Sequence, residues 1–193
     1  MDEVREVLQT GVANIGESYA QEAVSKFERI GAGPVWHFIG HLQTNKAKEV
    51  VRMADVIHSV DSLRLAEEIS KRAQALGKTQ RVLLEVNVSG EESKWGMSPD
   101  ALRGDAARIV ALPALSVEGL MMMAPLVEDP EEVRPAFAST RVLADQLVSD
   151  GVLPGSPLLS MGMTNDFEVA IEEGASMVRV GTAIFGPRQT AWK

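Results

Sequence analysis

The sequence contains no cysteine. Disulfides, thiolate zinc sites and cysteine nucleophiles are therefore excluded, and the composition suits a reducing compartment, the cytoplasm. Aromatic residues make up only 5% of the chain, with a single tyrosine, Tyr19. No apolar run approaches the ~20 residues that a membrane-spanning helix needs, so no membrane partner is expected. Basic clusters are missing too. The 19 Lys and Arg are outnumbered by 27 Asp and Glu, for a net charge of −8, and the cations sit among acids, as in "EEISKRAQ". Such a surface repels phosphodiester backbones, so no nucleic-acid partner is expected. There is no G-x-G-x-x-G phosphate loop, no H-E-x-x-H metal motif and no low-complexity linker. The opening "MDEVREVLQTG" is a charged helix pattern rather than a signal peptide.

What is present is an alternation. The 193 residues, 45% hydrophobic, suffice for one domain with a sizeable core. Seven apolar stretches read as strands, near residues 12–17, 35–39, 56–60, 81–89, 116–123, 157–162 and 177–185. Helical patterns separate them, some with capping signals such as Asp61 and Ser98-Pro99 at the start and Gly31 and Gly77 at the end. One long helix spans "DPEEVRPAFASTRVLADQLVSDG" and bends near Pro135. Strands apolar on both faces and separated by helices predict a parallel sheet with helical cover. The fold class is α/β, a (β/α) TIM-type barrel with seven of eight strands, and residues 1–193 form a single domain. A doubly wound open sheet is the competitor, and the absent Gly-rich loop counts against it. The chain opens on a helix where such a barrel opens on a strand, so the first strand reads as missing and the domain as truncated at its N-terminus. An open barrel exposes the edges of its first and last strands. The expectation is a monomer or a weak homodimer, with poor solubility when expressed as written.

Barrel sites lie at the C-terminal ends of the strands, with phosphate commonly held after the last two. "LLSMGMTND" ends one such strand with Ser160 and Gly162, and "RVGTAIFG" offers Gly181 and Thr182 at the other. Glycine admits an anion close to the backbone, and hydroxyls donate to it. Between them lies Arg179. Alternation turns Val178 and Val180 towards the helices and Met177, Arg179 and Gly181 into the barrel. A guanidinium cannot shed its proton, so it must meet either a buried carboxylate or a ligand acceptor near the mouth.

Other candidates read as structural. His37 and His41 are four apart but flank a strand and a turn, which argues against a metal site; His37 hydrogen-bonds near the barrel mouth. His58 in "VIHSV" is a core or rim residue, and Met121, Met122 and Met123 are core. Lys46 opens a helix and Lys94 lies in a loop, both at the correct end of the barrel, and both read as exposed or auxiliary anion contacts. Glu17 and Glu85 are the only strand-borne carboxylates placed for acid–base work. Ser160 lacks His and Asp partners for a hydrolase triad.

The stretches "IGESYAQE", "WHFIGHLQTNK", "IHSVDS", "LLEVNVSGEESKWG" and "LSMGMTNDFEVAIEEGASMVRVGTAIFG" resemble the pyridoxal phosphate homeostasis family, itself similar to the N-terminal barrel of alanine racemase. The likeness runs through essentially the whole chain. It implies a non-catalytic protein that binds pyridoxal 5′-phosphate (PLP) as carrier and buffer, with PLP-dependent apoenzymes as possible recipients. It implies that Ser160, Gly162, Met163, Gly181 and Thr182 grip the phosphate and that Arg179 faces the pyridine nitrogen. Ser18, where family members often carry Asn, and His37 join them as binding residues. The family's imine-forming lysine lies on strand one, and no residue of this sequence takes its role by motif, which puts covalent attachment in doubt. The alternatives are an alanine-racemase-like PLP enzyme and a TIM-barrel enzyme acting on a phosphorylated ligand.

Overall fold

Strand and helix alternate in the computed structural model, which describes residues 2–91 and 94–187. After α1 (Asp2–Gln9) come β1 (Asn14–Glu17), α2 (Ala20–Ile30), β2 (Val35–Phe38), α3 (Ala47–Met53), β3 (Val56–Val60), α4 (Leu63–Ala75) and β4 (Gln80–Glu85). Then follow α5 (Pro99–Val110), β5 (Leu115–Met121), α6 (Arg134–Ser149), β6 (Leu158–Met163), α7 (Phe167–Glu172), β7 (Met177–Arg179) and α8 (Thr182–Phe185). The seven strands pair in chain order and all in parallel. Right-handed crossovers through the helices curl such a sheet into a nearly closed barrel. Among the described residues nothing pairs β7 with β1, so the sheet has two edges.

Each helix owes its place to an apolar stripe. On α4 the buried positions are Leu65, Ala66, Ile69, Ser70 and Ala73, and on α6 Phe137, Thr140, Leu143, Ala144 and Leu147. They pack with the outward strand residues Trp36, Phe38, Ile57, Leu84 and Leu120. Burying each large side chain contributes roughly 1.5–3 kcal/mol. Caps set the ends. Ser98 Oγ accepts from the Ala101 N–H, and Gly77, at φ +63°, turns the chain out of α4.

Three boundaries depart from the sequence reading. The N-cap of α4 is Ser62, whose Oγ accepts from the Leu65 N–H, while Asp61 accepts from the Ser62 hydroxyl. The long helix begins only at Arg134, after a 3-10 turn over Pro130–Val133. Pro135, lacking an N–H, fits the first turn of α6, so no bend is needed. The last strand ends at Arg179, and "TAIF" winds into the single-turn α8.

The inward face is not the layer of branched aliphatics usual in such barrels. Trp36 and Phe38 face the helices, so His37 faces in; likewise Ile57 leaves His58 inside. His37, His58, Ser160 and Glu85 are all buried.

Candidate functional site

The site is built around Arg179, the last residue of β7. Opposite it in register stands Met163, the last of β6. The guanidinium meets no carboxylate among the described residues. One terminal nitrogen donates to both the carbonyl and the hydroxyl of Ser160, each at 2.8 Å, and the other donates to Met122 O at 2.8 Å. Those three bonds leave two of its five N–H donors without a protein partner among the described residues. Burial lowers its pKa to about 10, against the raising influence of Glu85 and Asp166, so the cation persists at neutral pH.

The loops after β6 and β7 lie beside each other. Ala183 N–H reaches Thr164 Oγ1 at 3.4 Å. Thr164 and Asn165 after β6, and Gly181 after β7, have backbone N–H groups with no protein acceptor among the described residues. Met163 differs: its N–H donates to Asp166 Oδ1 at 2.5 Å. Gly162 is required on two counts. Its φ is +94°, and a Cβ there would stand 2.6 Å from Ala170 Cβ and 3.0 Å from Phe167 Cα. α7 therefore packs directly on the end of β6 and holds the 164–166 turn over the mouth. Open space surrounds Gly181, where a Cβ would touch nothing within 4 Å.

Ser160 lies deeper than a phosphate grip would need. It is fully buried, and its Oγ is shared by Arg179 and by His58 Nδ1 at 2.9 Å. His58 Nε2 in turn meets His37 Nδ1 at 2.8 Å, and His37 Nε2 meets Asn14 Oδ1 at 2.9 Å. His37 thus sits inside the barrel with both ring nitrogens bonded to protein, level with the start of β3, and not at the mouth. Burial, then His37, Arg179 and Arg81, hold the His58 pKa down at about 3, and burial lowers that of His37. Both rings are neutral at pH 7.

Ser18 lies exposed on the rim after β1, where Gly40 makes room for it: a Cβ on Gly40 would stand 2.0 Å from Ser18 O. The rim lysines have other partners, Lys46 with Glu49 at 3.6 Å and Lys94 with Ala124 O at 3.5 Å. Glu17 pairs with Lys26 at 2.5 Å. Glu85 has no such partner among the described residues. Burial, with help from Asp61 and against Arg179, raises its pKa to about 7, and its Oε2 has no hydrogen-bond partner among the described residues. His41 stacks on Trp95 at 3.6 Å and stands 3.3 Å from Asp61, outside hydrogen-bond geometry. Among the described residues no cluster of His, Asp or Glu is arranged for a metal.

Free N–H groups are expected in the turn that follows "LLSMGMTND", but sequence reasoning did not name Thr164 and Asn165, whose unpaired groups are backbone N–H and carry no side-chain signature. It also missed Asn14. His58 is the satisfied core residue expected from "VIHSV", fully buried with both ring nitrogens bonded, but its partners were not foreseen.

A family model described as alanine racemase, N-terminal domain, matches residues 1–189. The fold and this match define the class, an alanine-racemase-type barrel. Pyridoxal phosphate homeostasis protein of Aquifex aeolicus is 46% identical over 187 residues, 96% of this chain and 82% of the relative. Its Escherichia coli K12 namesake is 37% identical over 194 residues, covering 98% of this chain and 82% of the relative. The chain belongs to the pyridoxal phosphate homeostasis protein family. Among solved structures, PipY of Synechococcus elongatus PCC7942 without PLP superposes with a TM-score of 0.90 at 36% identity, over 96% of this chain and 87% of PipY. PipY with PLP bound gives 0.88, over 95% and 86%. Alanine racemase of Clostridium difficile 630 gives 0.78 at 18% identity, over 97% of this chain and 49% of the racemase, a likeness of fold alone.

Proposed function

We propose that the protein binds PLP in the barrel mouth and holds it without turnover, as an intracellular, cytoplasmic carrier and buffer that serves PLP-dependent apoenzymes. One observation carries the reading. A buried cation is clamped by three bonds, keeps two donors spare, and stands beside loops whose amides lack acceptors. Spare guanidinium donors suit the ring nitrogen of PLP, and the amides of Thr164, Asn165 and Gly181, with the Thr182 hydroxyl, suit its phosphate. Gly162 and Met163 shape that cradle, and Ser18 and His37 belong to its rim and its interior support. PLP bound here supplies a reactive aldehyde. Arg179, donating to the ring nitrogen, keeps that nitrogen unprotonated and weakens the ring as an electron sink, which favours holding over carbanion chemistry.

The names of the relatives support the same reading, and so does PipY, which was solved with PLP. The racemase alternative has less support: the likeness to alanine racemase is one of fold alone, at 18% identity. The two sheet edges support weak self-association. The test is a PLP titration followed by visible absorbance, with inorganic phosphate as competitor. The wild-type protein should shift the PLP spectrum and phosphate should reverse the shift. Arg179→Met should abolish the spectral shift while still binding phosphate. An Arg179→Met spectrum identical to wild type would refute the assignment.

A further inference from the structure

The polar chain across the barrel runs through five strands. Arg179 on β7 touches Ser160 on β6, Ser160 touches His58 on β3, His58 touches His37 on β2, and His37 touches Asn14 on β1. Arginine can only donate, and the Asn14 atom in contact is the oxygen, which can only accept. Each neutral imidazole has one donor and one acceptor. The chain therefore has one polarity that matches every group. Arg179 donates to Ser160 Oγ, Ser160 donates to His58 Nδ1, His58 donates from Nε2 to His37 Nδ1, and His37 donates from Nε2 to Asn14. In the reverse polarity the His37 hydrogen lies on Nδ1, and His37 Nε2 and Asn14 Oδ1 face each other as two acceptors at 2.9 Å.

We infer that His58 is a positioning residue for the ligand: by accepting the Ser160 hydroxyl hydrogen it leaves the Ser160 oxygen facing Arg179 as an acceptor only, which turns the guanidinium so that its spare donors face the mouth. The inference rests on the PLP reading for what those donors meet, and it changes the role of Ser160. That hydroxyl serves the arginine and has no hydrogen left for a phosphate. His37 and Asn14 act behind it, holding His58 in the tautomer with the hydrogen on Nε2. Ring protonation would put a second hydrogen on Nδ1 and reverse the contact with Ser160. The enclosure of His58, beside Arg179 and Arg81, opposes that.

Two measurements test it. The first is NMR of the nitrogen-labelled wild-type protein without ligand, in which the imidazole nitrogen shifts report the tautomers. Hydrogen on Nε2 of both His58 and His37 is expected; hydrogen on His58 Nδ1 overturns the inference, whether or not PLP binds. The second compares His58→Leu, Ser160→Ala and the double variant by calorimetric titration with PLP and with inorganic phosphate. Each single variant should weaken PLP about tenfold, the worth of one misdirected charged hydrogen bond, and leave phosphate binding unchanged. The double variant should lose no more than either single. Unchanged PLP affinity in His58→Leu, or equal weakening of PLP and phosphate, overturns the inference. A wild-type protein that binds neither ligand refutes the proposed function instead, and the tautomers still decide the relay.

Discussion

Replacing Glu85 by glutamine should make the protein sensitive to acid. Glu85 is buried, and its pKa is raised from an ordinary 4.5 to about 7. Between those values the folded state keeps a proton that the unfolded chain has released, so this group destabilises the fold as pH rises. At about 1.4 kcal/mol per pKa unit the cost is about 3 kcal/mol at pH 7 and about 1 kcal/mol at pH 5. His58 has the opposite sign. Its pKa is lowered from 6.5 to about 3, so the unfolded chain takes up a proton that the folded state refuses as pH falls below 6.5. Acidification from pH 7 to 5 therefore loses about 2 kcal/mol through His58 and regains about 2 kcal/mol through Glu85. His37, also lowered, adds to the loss. The wild-type protein should show a shallow dependence of its urea midpoint over this range. Glu85→Gln should lose about 2 kcal/mol more than wild type between pH 7 and 5, and His58→Leu about 2 kcal/mol less. Urea unfolding followed by circular dichroism, without PLP, measures both. Parallel pH profiles for all three proteins would refute the electrostatic reasoning.

Gly162→Ala should cost about 2–4 kcal/mol in urea unfolding, because the new Cβ meets α7 at a positive φ. Asp166→Ala removes the acceptor of the Met163 N–H and should cost about 1–2 kcal/mol, with weaker phosphate binding in the same calorimeter. Leu84→Ala, at a fully buried position of the helix-facing core, should cost about 2–5 kcal/mol with an unchanged denaturant slope and no change in the PLP spectrum per folded molecule.

Much of the barrel was legible because parallel strands leave a strong trace. "VIHSV" and "RVLLEV" carry adjacent buried apolar residues, Val56-Ile57 and Val82-Leu83-Leu84, and Gly31 and Gly77 stop helices where the turns require it. Alternation also turned Arg179 inward, and the alternative of a carboxylate partner fell to the carbonyls of Met122 and Ser160. Local reasoning failed at "GTAIF", an apolar run too short for periodicity to separate strand from helix. It failed more deeply at Ser160. A serine beside a glycine at a strand end looks like an anion contact, yet this one is enclosed by residues from β3 and β7. Its bond to His58 joins positions 102 residues apart, and no local pattern encodes such a pairing. The unpaired amides of Thr164 and Asn165 follow from where the turn lies, not from which side chains it carries.

A crystal structure of the protein soaked with PLP tests the central claim most directly. The pyridine nitrogen should lie about 3 Å from an Arg179 guanidinium nitrogen, with Ser160 and Met122 still bound to the same group and the phosphate on the amides of the two adjacent loops. A ring nitrogen facing away from Arg179, or a guanidinium swung onto Glu85 or Asp166, would contradict it.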